Sequence, residues 1–132
     1  MAYQLKKTSL FEDDLDLLDE SGNVVKTIHL SLDLETIMGR YTKALGRMLQ
    51  AGDAVDPHST TSMSMYGACV IEFLQVIFGD DTGAILAHYK GRYIDLIEQA
   101  LPYIYKRIGQ QIHDITQGRL EAMKEARRAE TV

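Results

Sequence analysis

From Ala84 to Ile115 apolar residues recur at steps of three and four: Ile85, Leu86, Tyr89, Tyr93, Leu96, Ile97, Leu101, Ile104, Ile108, Ile112 and Ile115. That spacing places one apolar stripe along one helix. At 1.5 Å per residue such a helix would run on the order of 45 Å, longer than a small globule is wide, so shorter elements must pack along it. Pro102 lacks a backbone N–H and crowds the preceding turn, which predicts a kink near Gln99 to Leu101 or a break into two helices, and the stripe staying in phase on both sides favours the kink.

A chain of 132 residues, 45% hydrophobic and 25% charged, fits one domain with a real core. The expected organisation is a single domain over 1–132: a hairpin region at 1–32, a helical core at 33–117, and a weakly docked helix or disordered tail at 118–132. No window approaches 18 uninterrupted apolar residues, so no membrane span is expected. Lys6 and Lys7 lead into Thr-Ser-Leu-Phe-Glu-Asp-Asp rather than the apolar run of a signal peptide, which predicts a cytoplasmic protein. Cys69 stands alone, between Ala68 and Val70, and reads as a buried inert thiol. The net charge of −5 is uneven, because residues 1–33 carry three lysines against seven carboxylates. An acidic chain without a dense basic patch argues against nucleic-acid binding, which draws its affinity from neutralised phosphates.

Leu15, Leu17 and Leu18 alternate with aspartates, and beyond Glu20-Ser21-Gly22-Asn23 the chain resumes as Val24-Val25-Lys26-Thr27-Ile28-His29-Leu30. This is the pattern of a β-hairpin, with Gly22 and Asn23 tolerating positive φ at the reversal. Its predicted apolar face is Val24, Ile28 and Leu30 with Leu15 and Leu17, and its open edge is a place for a partner strand to add. Residues 1–12 read as a further short strand or a mobile lead. Ser31-Leu32-Asp33 supplies caps for a helix in which Leu34, Ile37, Met38, Tyr41, Leu45, Met48 and Leu49 face one way and Arg40, Lys43 and Arg47 the other, with Gly52 as its C-cap. Polar turn residues fill 53–62. A second, central helix follows, with Met63, Tyr66, Val70, Phe73, Leu74, Ile77 and Phe78 facing the core. Gly79-Asp80-Asp81-Thr82-Gly83 breaks the chain, offering a C-cap glycine and an aspartate N-cap for the long helix. After Gly118 helix formers remain, but Leu120 and Met123 are the only larger apolar residues.

The resulting fold class is mainly α (α+β): an N-terminal β-hairpin followed by three to four helices, the last long and kinked near Pro102. Catalytic equipment is missing from the pattern. His29, His58, His88 and His113 are dispersed without a His-x-x-x-His or Glu-x-x-His pair, so no metal site is signalled. Asp53, Asp56 and His58 lack a recognised ligand spacing and suit turns and caps. The glycines form neither a dinucleotide fingerprint nor a phosphate loop, and no cofactor is expected. Carboxylate pairs such as Asp13-Asp14 lie in polar stretches that favour solvation over the burial that raises a catalytic pKa. No enzyme is predicted. The residues expected to contact a partner are Tyr89, Arg92, Tyr93, Tyr103, Tyr105 and Arg107, because aromatics beside arginines are enriched at protein interfaces.

The acidic hairpin Asp-Leu-Leu-Asp-Glu-Ser-Gly-Asn-Val-Val-Lys-Thr-Ile at 16–28, with the helix Leu34 to Leu49 directly behind it, resembles the tail assembly chaperones of long-tailed phages and prophages of Gram-positive bacteria. The likeness covers most of the chain as architecture and some thirty residues as wording, and transfers no catalytic residue. It implies a small, mainly helical protein of the host cytoplasm that binds the tape measure protein, keeps it soluble and helps tail tube subunits assemble. It also implies a homo-oligomer and a longer product made by ribosomal frameshifting, with no nucleic-acid or membrane partner. The competing expectation is a helical regulatory or adaptor module acting through dimerisation or DNA, for which the loop at 51–62 is long and the charge has the wrong sign.

Overall fold

The structure, a computed structural model, describes residues 2–6 and 10–130. The sequence readings that fall on residue 1, residues 7–9 and residues 131–132 lie outside the described residues. Two compact units divide the chain, Met1–His88 and Tyr89–Val132. An antiparallel hairpin precedes three helical runs, and helix makes up 70% of the protein.

In the first unit, strands β1 (Phe11–Leu18) and β2 (Val24–Leu32) form a two-stranded sheet. Asp19 builds the reversal: its carboxylate accepts from the backbone N–H of Ser21 and of Asn23, each at 2.9 Å. Gly22 takes φ 87°, which a side chain would disfavour, whereas Asn23 stays at negative φ. Leu15 pairs with Ile28, Asp13 with Leu30 and Phe11 with Leu32, so these side chains share one face. Ile28 and Leu30 are buried, worth about 1.5–3 kcal/mol each. Val24 does not join them. A bulge between Leu17 and Leu18 pairs Leu18 with Val24 and skips Val25, which shifts Val24 to the outer parity, 56% exposed.

Helix α1 (Leu34–Asp53) starts at Asp33, which holds extended dihedrals and accepts from the Thr36 N–H. It outruns the predicted stop: Ala54 is the C-cap, and Gly52 lies inside the helix beneath the Tyr66 ring. Leu34, Ile37, Tyr41, Ala44 and Met48 bury its apolar side, but Leu49 is 54% exposed, on the flank of the stripe rather than in it. Asp56 and Ser59 order the following loop. The Asp56 carboxylate accepts from the His58 N–H at 2.9 Å and Ser59 caps helix α2 (Thr60–Phe78), accepting from the Ser62 N–H.

Helices α1 and α2 pack together, with the Tyr41 and Phe73 rings 5.4 Å apart and Arg47 bonded to Glu72 at 2.6 Å. Only the C-terminal half of α2 is core: Val70, Phe73, Leu74, Ile77 and Phe78 are buried, whereas Met63 and Met65 are exposed. Gly79 ends α2 at φ 54°. A 3-10 turn, Gly79–Asp81, then leads into α3 (Thr82–Tyr89), and Thr82 rather than an aspartate makes the local bond, donating to the Gly79 carbonyl at 2.8 Å. The run Thr60–Tyr89 is long and apolar enough to cross a membrane by length and composition, with 28% of its most apolar window buried.

The predicted helix over Ala84–Ile115 is two helices. The stripe keeps its phase, but Lys90 and Gly91 both adopt positive φ, 49° and 85°, and the backbone closes a turn from the Arg92 N–H to the Tyr89 carbonyl. In the second unit α4 (Tyr93–Tyr103) passes Pro102 without stopping, because the Ile104 N–H bonds back to Ala100 and Leu101. The irregularity that Pro102 forecasts appears just beyond it, as a π segment at Ile104–Gly109, and α5 (Gln110–Glu130) completes the helix through Gly118. The π turn has a packing consequence. Each step of four in an α-helix overshoots a full turn by about 40°, which would spread Ile104, Ile108 and Ile112 around the surface. A turn closed i→i+5 holds about one residue more and cancels that drift. The three isoleucines are 0%, 0% and 5% exposed.

Candidate functional site

Helix α4 has two apolar sides. Successive residues lie about 100° apart, so Ile94, Ile97 and Leu101 fall within roughly 60° of one another, on the side away from Leu96. Leu96 is 2% exposed, and it begins the buried stripe that Ile104, Ile108 and Ile112 continue. The opposite line is not covered. Ile94 is 73% exposed, Tyr93 beside it 53%, and Tyr105 at the far end 39%, with Ile97 and Leu101 half-buried between them. Leaving a side chain such as Ile94 in water forgoes about 1.5–3 kcal/mol that burial would return. Exposed Glu98 borders this apolar line.

The six predicted contact residues do not assemble on that line. Tyr93 and Tyr105 belong to it, at its two ends. Tyr103 is two residues from Tyr105, hence about 200° around the helix, and is half-buried. Tyr89 lies before the Lys90-Gly91 corner; its hydroxyl donates to Gln99 Oε1 at 2.7 Å, and burial, helped by the charge of Asp95, raises its pKa above the ordinary phenol value. Arg92 reaches Asp95 at 3.0 Å, and Arg107 is exposed. Ile94 was missed by sequence reasoning although its signal was present. Ile94, Ile97 and Leu101 repeat the three-four spacing beside the buried stripe, with Tyr93 about 40° around the helix from Ile97.

The outer face of the hairpin is a separate polar surface. Glu12, Asp14 and Asp16 alternate along β1 opposite Ser31, His29 and Thr27. His29 Nδ1 is 2.7 Å from Asp14 Oδ1 and its Nε2 is 3.8 Å from Glu12, while Thr27 donates to Asp16 at 2.7 Å. The hydrogen bond to Asp14, with the charges of Asp14 and Glu12, raises the His29 pKa above its usual value. Among the described residues no three His, Cys, Asp or Glu side chains are grouped to hold a metal ion, and Thr82 is the one polar residue counted in the core. The described residues thus present an exposed apolar line on α4 and an acidic outer face on the hairpin. Comparison with family models, curated proteins and solved structures returned no match.

Proposed function

We propose that this chain is a tail assembly chaperone of the kind its hairpin and first helix resemble: a protein that binds a tape measure protein, keeps it soluble and helps tail tube subunits assemble around it. One observation carries the reading. The line Tyr93, Ile94, Ile97, Leu101 and Tyr105 gives a long helical chain an apolar surface to lie on, displayed by a helix whose other side is already buried. The work of such a protein is contact rather than bond making, and the arrangement of its ionisable groups suits that: they serve turns, caps and surface pairs.

The test is co-expression with a tape measure fragment. The wild-type chain raises the fraction of fragment in the soluble phase, and Ile94→Asp, which places a charge in the middle of the apolar line, removes most of that gain without altering the chaperone's own helix content. A fragment whose solubility is the same with and without this chain overturns the proposal.

A further inference from the structure

The two edges of the hairpin differ. On β1 the Asp14 N–H is taken by the Asp13 carboxylate at 3.0 Å, and exposed Glu12, Asp14 and Asp16 line the outer face. That N–H turns away from β2, so Asp14 and His29 exchange no ladder bonds, and by the alternation of an antiparallel sheet neither do Asp16 and Thr27 nor Glu12 and Ser31. The backbone groups of Thr27, His29 and Ser31 therefore point outward from the opposite edge, that of β2. Among the described residues no hydrogen bond from beyond the hairpin reaches them, and all three residues are exposed. Strand β2 also lacks the usual guards of an edge: it is nine residues long, with no proline, no glycine, no carboxylate and one lysine, Lys26.

A two-stranded sheet gains from further strands, and the strand that fits this edge is its own copy. Antiparallel pairing of β2 with β2, centred on His29, places Ile28 beside Leu30 of the second copy and extends the buried apolar row, while Thr27 and Ser31 meet on the outer face. Charge selects the same edge in a chain of net charge −5. Pairing through β1 would set carboxylates opposite carboxylates at about 5 Å, whereas pairing through β2 holds the two β1 strands three strand spacings apart, about 14 Å, beyond the Debye length of about 8 Å at physiological salt. We infer that two copies join β2 to β2 about His29 in one four-stranded sheet, in the order β1-β2-β2-β1, closed by a two-fold axis. Thr27, His29 and Ser31 of the two copies supply about six new backbone hydrogen bonds. The contact uses neither α4 nor any tape measure protein, so it stands or falls separately from the proposed function.

Sedimentation equilibrium of the full chain tests it. Wild type sediments as a dimer. Thr27→Lys with Ser31→Lys sets lysine opposite lysine twice across the two-fold axis, and raises the dimer dissociation constant about tenfold at low salt and less at high salt, with an unchanged circular dichroism spectrum. Within one chain both substitutions face carboxylates, those of Asp16 and Glu12, so the hairpin itself is kept. Single-cysteine variants fix the surface. In a Cys69→Ser background His29→Cys gives a disulfide-linked dimer on a non-reducing gel, since the two Cα atoms stand about 5.5 Å apart, and Asp14→Cys does not. A wild-type monomer at all concentrations, a dimer indifferent to the paired lysines, or equal cross-linking from Asp14→Cys and His29→Cys overturns the inference.

Discussion

At single residues, two hairpin side chains make the protein sensitive to pH in opposite senses. Asp19 accepts backbone hydrogen bonds from Asn23 and Ser21 that hold its carboxyl below the ordinary value. Its contribution is therefore present above the unfolded pKa of about 3.9 and is lost as pH falls through the lower folded value. His29 runs the other way. Its pKa is raised by Asp14 and Glu12, so its contribution is complete below about 6.5 and disappears as pH rises through the folded value. Thermal melts at pH 6 and at pH 8 should differ for the wild type and converge for His29→Gln; equal differences in both would show that His29 carries none of the dependence. Lys90 makes a further prediction. A lysine at φ 49° bears a steric penalty that glycine avoids, so Lys90→Gly should raise stability by about 1 kcal/mol in denaturant melts, less what glycine loses in the unfolded chain.

Among the elements, the hairpin, the Asp33 cap and the first two helices are legible in the sequence because each rests on local chemistry: a glycine at the turn, an N-cap oxygen, a periodic apolar side. What was not legible has physical causes as well. Val24 sits on the wrong face because a bulge at Val25 changes parity, and alternation cannot reveal an inserted residue. The corner at Lys90 is hidden because the stripe stays in phase across it, and periodicity reports spacing rather than continuity. Of the candidate site, Tyr93 and Tyr105 were readable as exposed aromatics. Their separation from Tyr103 follows from the angle around a helix that a cluster in sequence conceals. Gly46 offers a test at this scale. It lies exposed inside α1 with open space where a methyl group would stand, so Gly46→Ala should stabilise by about 1 kcal/mol, read as a higher denaturant midpoint with an unchanged slope. The π turn offers another. Deleting exposed Lys106 would remove the extra residue that the π turn holds, restore α geometry and leave Ile112 on its buried line, so such a variant should keep its helix content and most of its stability in thermal melts.

Across the whole molecule each helix has a buried side, and α4 also carries an exposed apolar line. Three surfaces stand out: the acidic outer face of the hairpin, the exposed apolar line on α4 and the exposed helical end beyond Thr116. Removing residues 119–132 should therefore change the melting temperature little, since every described residue there is exposed, while a protease should cut that end first. The most direct test of the central claim is amide hydrogen exchange followed by mass spectrometry, with and without a helical tape measure fragment. The prediction is added protection concentrated in the peptides spanning Tyr93–Tyr105. Binding that leaves those amides exchanging at their free rates would contradict it.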